Sequence, residues 1–248
     1  MKLENLRSEA YLWLVTGGLA VLIAASPYVG PRQSEKAPAA REIPCIVPEP
    51  YEIRHTYTAE VDFRPVSRRQ VEKALELIRS LEGDENLRCP EDHAIFRLLG
   101  EYKEGDRHYR LSRKVFVNRY DPASPLIGRM AFVCHGHEYA VNPAIRSSTA
   151  MLALALYHEL MHGVQCVEGR LQNELTADPC AQEAEAFAAQ VRFFVALEKR
   201  NMLPTGMSVA EPGDVGLVMQ TLQAWKSLAR GKKQFCKWYR RSVACLAR

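Results

Sequence analysis

Three polar residues interrupt an otherwise apolar run: His158, Glu159 and His162, inside Met151-Leu-Ala-Leu-Ala-Leu-Tyr-His-Glu-Leu-Met-His-Gly-Val-Gln165. Histidines four apart on a helix project from one face, one turn above the other, which suits two ligands of a tetrahedral Zn²⁺. Glu159 stands ~100° round the helix from His158. Its carboxylate can therefore approach a water activated by the ion without ligating the ion itself. Two imidazoles and a carboxylate are costly to bury in so apolar a helix unless something partners them, and a metal with its water does so.

The element that must carry these residues is legible around them. From Ser147 to Val164 there is no Pro, and no Gly before Gly163. Ala, Leu and Met dominate, and Ser147, Ser148 and Thr149 offer N-caps. Gly163 is expected to bend or end the helix. A catalytic zinc takes three protein ligands and leaves the fourth position open. Candidates for the third are Glu168, Glu174, Asp178, Glu183 and Glu185. A second helix is predicted over Asp178–Glu198, with Asp178 as N-cap and Pro179 at the first helical position. Ala184, Phe187, Val191, Phe194 and Val195 recur at the helical period and mark its core face. Glu183 falls in its second turn.

HExxH is the signature of metal-dependent peptidases. Followed by a second helix carrying Glu183-Ala184-Glu185-Ala186, it resembles the gluzincin branch of the zincins, over about Arg129 to Leu197. The resemblance implies a zincin-like α+β domain with a small mixed sheet, an active-site helix and a third-ligand helix. It also implies one Zn²⁺ on His158, His162 and Glu183, with Glu159 as general base. One position departs from the pattern: Phe187 stands where many gluzincins carry the Asp or Asn that supports a zinc-binding histidine, so that support must come from elsewhere or be absent. Glu185 is the rival third ligand, and Asp178 would give an aspartate-ligand site instead.

Upstream, Met130–Cys134 and Glu138–Asn142 are predicted as strands around a turn at His135-Gly136-His137. In zincins a strand in this position commonly forms the edge along which an extended substrate lies, by main-chain hydrogen bonds. His137 and Tyr139 are candidate donors to a tetrahedral oxyanion; Tyr157 is expected in the core. Elsewhere, strands are predicted over Arg54–Phe63 and Tyr109–Tyr120. An amphipathic helix over Ser67–Leu81 buries Val71, Ala74, Leu75, Ile78 and Leu81, and helices follow over Met219–Ala229 and Lys233–Ala247. Strands early and helices late argue α+β.

The N-terminus divides into a short tail (1–10) and an uncharged stretch from Tyr11 to Gly30, long enough as a helix to cross a bilayer. A single-pass anchor is expected, with a cleaved signal peptide as the alternative; a small-x-small cleavage site is missing. A Pro-rich tether (31–50) leads to the catalytic domain (51–248). All seven cysteines lie beyond the hydrophobic stretch and none is in C-x-x-C spacing. They read as disulfides of an extracytoplasmic domain, with Cys166–Cys180 and Cys236–Cys245 the preferred pairs. The net charge of +4 is mild and no nucleic-acid fold signature is present. The expected function is a membrane-anchored zinc peptidase acting on a peptide or protein. A zincin-like scaffold without turnover and an envelope assembly factor are the competing classes.

Overall fold

The computed structural model describes residues 12–16, 19–23, 47–50, 64–102, 109–111, 116–117, 125–126, 130–133, 138–143, 146–171, 179–203 and 212–246. Six helices dominate them: α1 (Arg68–Ser80), α2 (Pro90–Glu101), α3 (Thr149–Val167), α4 (Pro179–Lys199), α5 (Pro212–Leu228) and α6 (Lys232–Leu246). The expected α+β class, with a transmembrane helix ahead of a small mixed sheet, is therefore corrected to a mostly helical fold.

The extended segments are two to five residues long; three of them form one small sheet and the others pair in twos. Glu138–Val141 pairs with Met130–Val133 on one side and Tyr109–Leu111 on the other; Arg64–Pro65 pairs with Arg146–Ser147, and Phe116–Val117 with Pro125–Leu126. Of the predicted strand over Tyr109–Tyr120, Tyr109–Leu111 and Phe116–Val117 are extended and the rest lies outside the described residues, as does Arg54–Phe63. Leu12–Thr16 and Leu19–Ile23, where the membrane helix was expected, pair as an antiparallel hairpin, with Gly17-Gly18, a favoured hairpin dipeptide, between them in the sequence. Among the described residues, no helix is long and apolar enough to cross a membrane.

Helix α3 is the axis of the fold. Every residue from Ala150 to Cys166 is buried, as a helix apolar on all sides requires, and α1, α2 and α4 pack around it. Of the three candidate caps, Ser148 accepts from the Met151 N–H at 3.2 Å. Asp214 of α5 fixes the same end, accepting from the Ser147 hydroxyl at 2.7 Å and the Ser148 N–H at 3.0 Å. The helix continues past Gly163. It ends at Val167 with Gly169 at φ 72°, whose N–H bonds the Cys166 carbonyl at 2.9 Å, while the Arg170 N–H bonds that of Gln165 at 2.8 Å.

Gly163 has a packing role. A Cβ there would meet the Tyr139 hydroxyl at 2.4 Å and Leu98 Cδ2 at 3.0 Å. Helix α1 follows the sequence closely, with a Ser67–Gln70 capping box and Val71, Ala74 and Ile78 buried. Helix α2 was not predicted, although Pro90 at N1 and Glu91-Asp92 in the first turn are start signals. Its Asp92 is buried and joins three helices: it accepts from Tyr157 Oη of α3 at 2.9 Å and from Arg192 Nε of α4 at 2.7 Å. Tyr157 is thus core, as expected, and anchored by its hydroxyl.

Candidate metal centre

Helices α3 and α4 run antiparallel, each presenting a stripe with i, i+4, i+7 spacing. On α3 the stripe is His158, His162 and Gln165; on α4 it is Glu183, Phe187 and Gln190. The Nε2 atoms of His158 and His162 lie 3.2 Å apart. Glu183 Oε2 is 3.6 Å from His158 Nε2, and Glu183 Oε1 is 3.7 Å from His162 Nε2. One ligand atom from each residue falls within 4.8 Å of the others, and all three residues are buried, at 0–2 % exposure. This group could hold a metal ion.

The hydrogen-bond network shows which atoms are available to it. Gln165 Nε2 donates to the Gln182 carbonyl at 2.9 Å and to Glu185 Oε2 at 3.1 Å, both acceptors only. Its amide is therefore oriented, and Gln165 Oε1, 2.9 Å from His162 Nδ1, must be accepting a proton there. The Nε2 of His162 is left as a lone pair facing the cluster. Glu183 Oε2 has no hydrogen-bond partner. Buried lone pairs and a carboxylate converging on one point are unfavourable unless a cation occupies it, so the donor set fits a metal such as Zn²⁺.

A proton is the competing cation. Burial opposes charge on His158, but the facing Glu183 carboxylate outweighs it, and the net effect raises His158 above the usual histidine value. Burial above all holds His162 down, at about 4. Burial would push Glu183 up, yet its contacts with His158 and His162 bring it below its ordinary value.

Glu159 is buried at the same level of α3, its charge acting on both His158 and Tyr139. Tyr139 is buried and shares a 2.6 Å hydrogen bond with the Tyr102 hydroxyl; burial first, then Tyr102 and Glu159, push its pKa well up, so it keeps its proton. Glu185 is not among the clustered ligands: it accepts from Gln165 and pairs with Arg170 Nη1. His137 and Asp178 lie outside the described residues. Cys180 of α4 pairs with Cys236 of α6, not with Cys166, and Cys236 is thereby not paired with Cys245. Cys89 and Cys166 are also disulfide-bonded.

Several features of the site were not anticipated. The surroundings of Phe187, which stands where many gluzincins carry an Asp or Asn, are among them: its ring is edge-on to His158 with centroids 4.7 Å apart, and Phe235 and Trp238 of α6 pack behind it. Tyr239 of α6 is buried with its hydroxyl facing Glu183; burial and that carboxylate push its pKa far above the usual phenol value. Gln165 had a sequence signal, since it follows His162 by three and so shares its face. Tyr239 had none, because only packing brings α6 to α4. No family model, no curated protein and no solved structure matches the chain.

Proposed function

We propose that the chain is a zinc-dependent peptidase. The observation supporting this reading is the convergence of His158, His162 and Glu183 in a buried site, with Glu159 following the first histidine. Bound Zn²⁺ would lower the pKa of a water toward ~7 and polarise the scissile carbonyl. His158 and His162 supply neutral nitrogens and Glu183 one negative charge. Glu159 takes the proton of the attacking water and passes it to the leaving amine. Tyr139, holding its proton beside Glu159, is the proposed donor to the developing oxyanion. The disulfides favour an oxidising compartment.

The test is Glu159→Gln, assayed on a broad peptide library together with metal content. It should abolish hydrolysis while the protein keeps one zinc per chain; retained hydrolysis would sink the mechanism. A second reading is a zincin-like scaffold in which zinc is structural. It is favoured by burial, since His158, Glu159, His162 and Glu183 are at most 2 % exposed. A wild-type chain that binds zinc, unfolds on chelation and cleaves nothing in the library would establish it.

A further inference from the structure

Behind His162, Gln165 fixes the imidazole; a second carboxamide occupies the corresponding place behind His158. We propose that Gln190 is the positioning residue for His158, accepting from its Nδ1–H, so that two neutral glutamines orient the two metal-binding histidines. The proposal rests on the metal-site reading above and says how that site is held.

Gln190 lies on the α4 stripe seven residues after Glu183 and is fully buried. Its Nε2 donates to Thr221 Oγ1 of α5 at 2.6 Å, and the Thr221 hydroxyl spends its own proton on the Leu217 carbonyl at 2.7 Å. With that proton on Leu217, Thr221 accepts from Gln190, and reversing the amide would make the hydroxyl give up the Leu217 carbonyl. That leaves Gln190 Oε1 on the far side, buried and with no closed hydrogen bond, while His158 Nδ1 is likewise buried and without one. The helix register brings the two atoms together: the His158 ring packs on Phe187, one turn before Gln190 on the same α4 stripe, and the Gln190 amide lies close enough to raise the pKa of His158. His158 Nε2 is the nitrogen that faces Glu183 and His162, so a metal bound there would leave the proton of the neutral ring on Nδ1.

The choice of amides has a chemical consequence. A carboxylate behind an imidazole orients the ring and also raises its basicity. A glutamine orients it without adding charge. Glu185, the nearby carboxylate, is kept behind Gln165 and reaches His162 only through that amide. A divalent ion ligated by Glu183 thus retains net positive charge, which polarising a substrate carbonyl requires.

The test uses the full chain and three substitutions. Gln190→Met keeps volume but removes the acceptor, Gln190→Glu restores an acceptor, and Thr221→Val frees the amide to turn. Zn²⁺ and Co²⁺ affinities are measured by competition with a chromophoric chelator. Histidine ¹⁵N spectra of the zinc-loaded and of the metal-free protein report whether each Nδ1–H is hydrogen-bonded and shielded from exchange; circular dichroism reports folding. Gln190→Met should weaken Zn²⁺ binding ~10–100-fold and expose the His158 Nδ1–H to exchange while His162 keeps its Nδ1–H shielded. Gln190→Glu should recover the affinity, and Thr221→Val should show a smaller loss. Affinity within about twofold of wild type in a folded Gln190→Met protein, with the His158 Nδ1–H still shielded, would overturn the proposal. Should the wild-type chain bind neither ion, the metal reading fails. The metal-free spectra then decide the role of Gln190 alone: a shielded His158 Nδ1–H in wild type that is lost in Gln190→Met upholds it, and its absence from wild type or retention in Gln190→Met refutes it.

Discussion

Among the carboxylates near the site, what each one touches separates Glu183 from Glu185. Glu183 faces both histidines with an oxygen that has no hydrogen-bond partner, whereas Glu185 engages Gln165 and Arg170. Glu183→Ala is expected to abolish stoichiometric zinc. Glu185→Ala should weaken binding less than ~10-fold, because Gln165 keeps its second anchor on the Gln182 carbonyl. Zinc titration of the two proteins checks the order, and the reverse order would move the ligand to Glu185. Proton linkage gives a further expectation. His158, raised in the fold, contributes stability below its unfolded value of 6.5 that is lost as pH rises through its folded value. Glu183, lowered in the fold, contributes stability above 4.5 that is lost as pH falls through its folded value. The metal-free protein should therefore owe most to this pair between pH 4.5 and 6.5. The zinc-loaded protein should behave oppositely on the alkaline side, since zinc competes with the proton on His158. Melting temperatures with zinc and with a chelator, from roughly pH 5 to pH 8, should diverge as pH rises; parallel curves would exclude a shared cation site.

Helix contacts transmit structure to the site at two points. Cys180 precedes Glu183 by three residues and Cys236 precedes Tyr239 by three, so the disulfide clamps α4 to α6 beside the contact between Glu183 and Tyr239. It joins residues 56 apart, and closing a loop of that size contributes about 4 kcal/mol in the chain-entropy account. Reduction should lower both the melting temperature and the zinc affinity, the second because the third ligand loses its brace. Unchanged zinc affinity in reduced, folded protein would detach the disulfide from the site. The other point is Gly163, where α3 lets the Tyr139 hydroxyl approach its backbone. Alanine is the better helix former by ~1 kcal/mol, yet its methyl would press on a buried ring. Gly163→Ala is expected to destabilise by about 1–3 kcal/mol in denaturant unfolding. Adding Tyr139→Phe should recover part of the loss.

Across the whole molecule, the buried contact of Asp92 with Tyr157 and Arg192 holds α2, α3 and α4 together. Neither charge of the pair is exposed by more than 2 %, so removing one partner leaves the other stranded. Asp92→Asn should cost about 3–5 kcal/mol, whereas an apolar replacement of both Asp92 and Arg192 should lie nearer wild type. Equilibrium unfolding of the three proteins decides this; a single mutant as stable as wild type would show the pair to be dispensable.

Local pattern determined part of this architecture from the chain alone. His158, Glu159 and His162 share a helix because their run has no breaker and supplies Ser148 as cap. Glu183 follows on a second helix whose apolar period is plain, and α1 is fixed by its amphipathic stripe and capping box. These are interactions within a few residues of each other, which sequence records directly. The fold class was misread because short extended segments were extrapolated into strands while α2, with its proline and acidic start, went unrecognised. What lay between helices needed the tertiary structure. The partners of the histidines, the pairing of Cys180 with Cys236, the approach of Tyr239 to Glu183 and the close approach of Tyr139 to Gly163 all depend on which elements meet and by which faces. Packing of one helix against another sets that alignment, and no residue's own neighbours in the chain encode it.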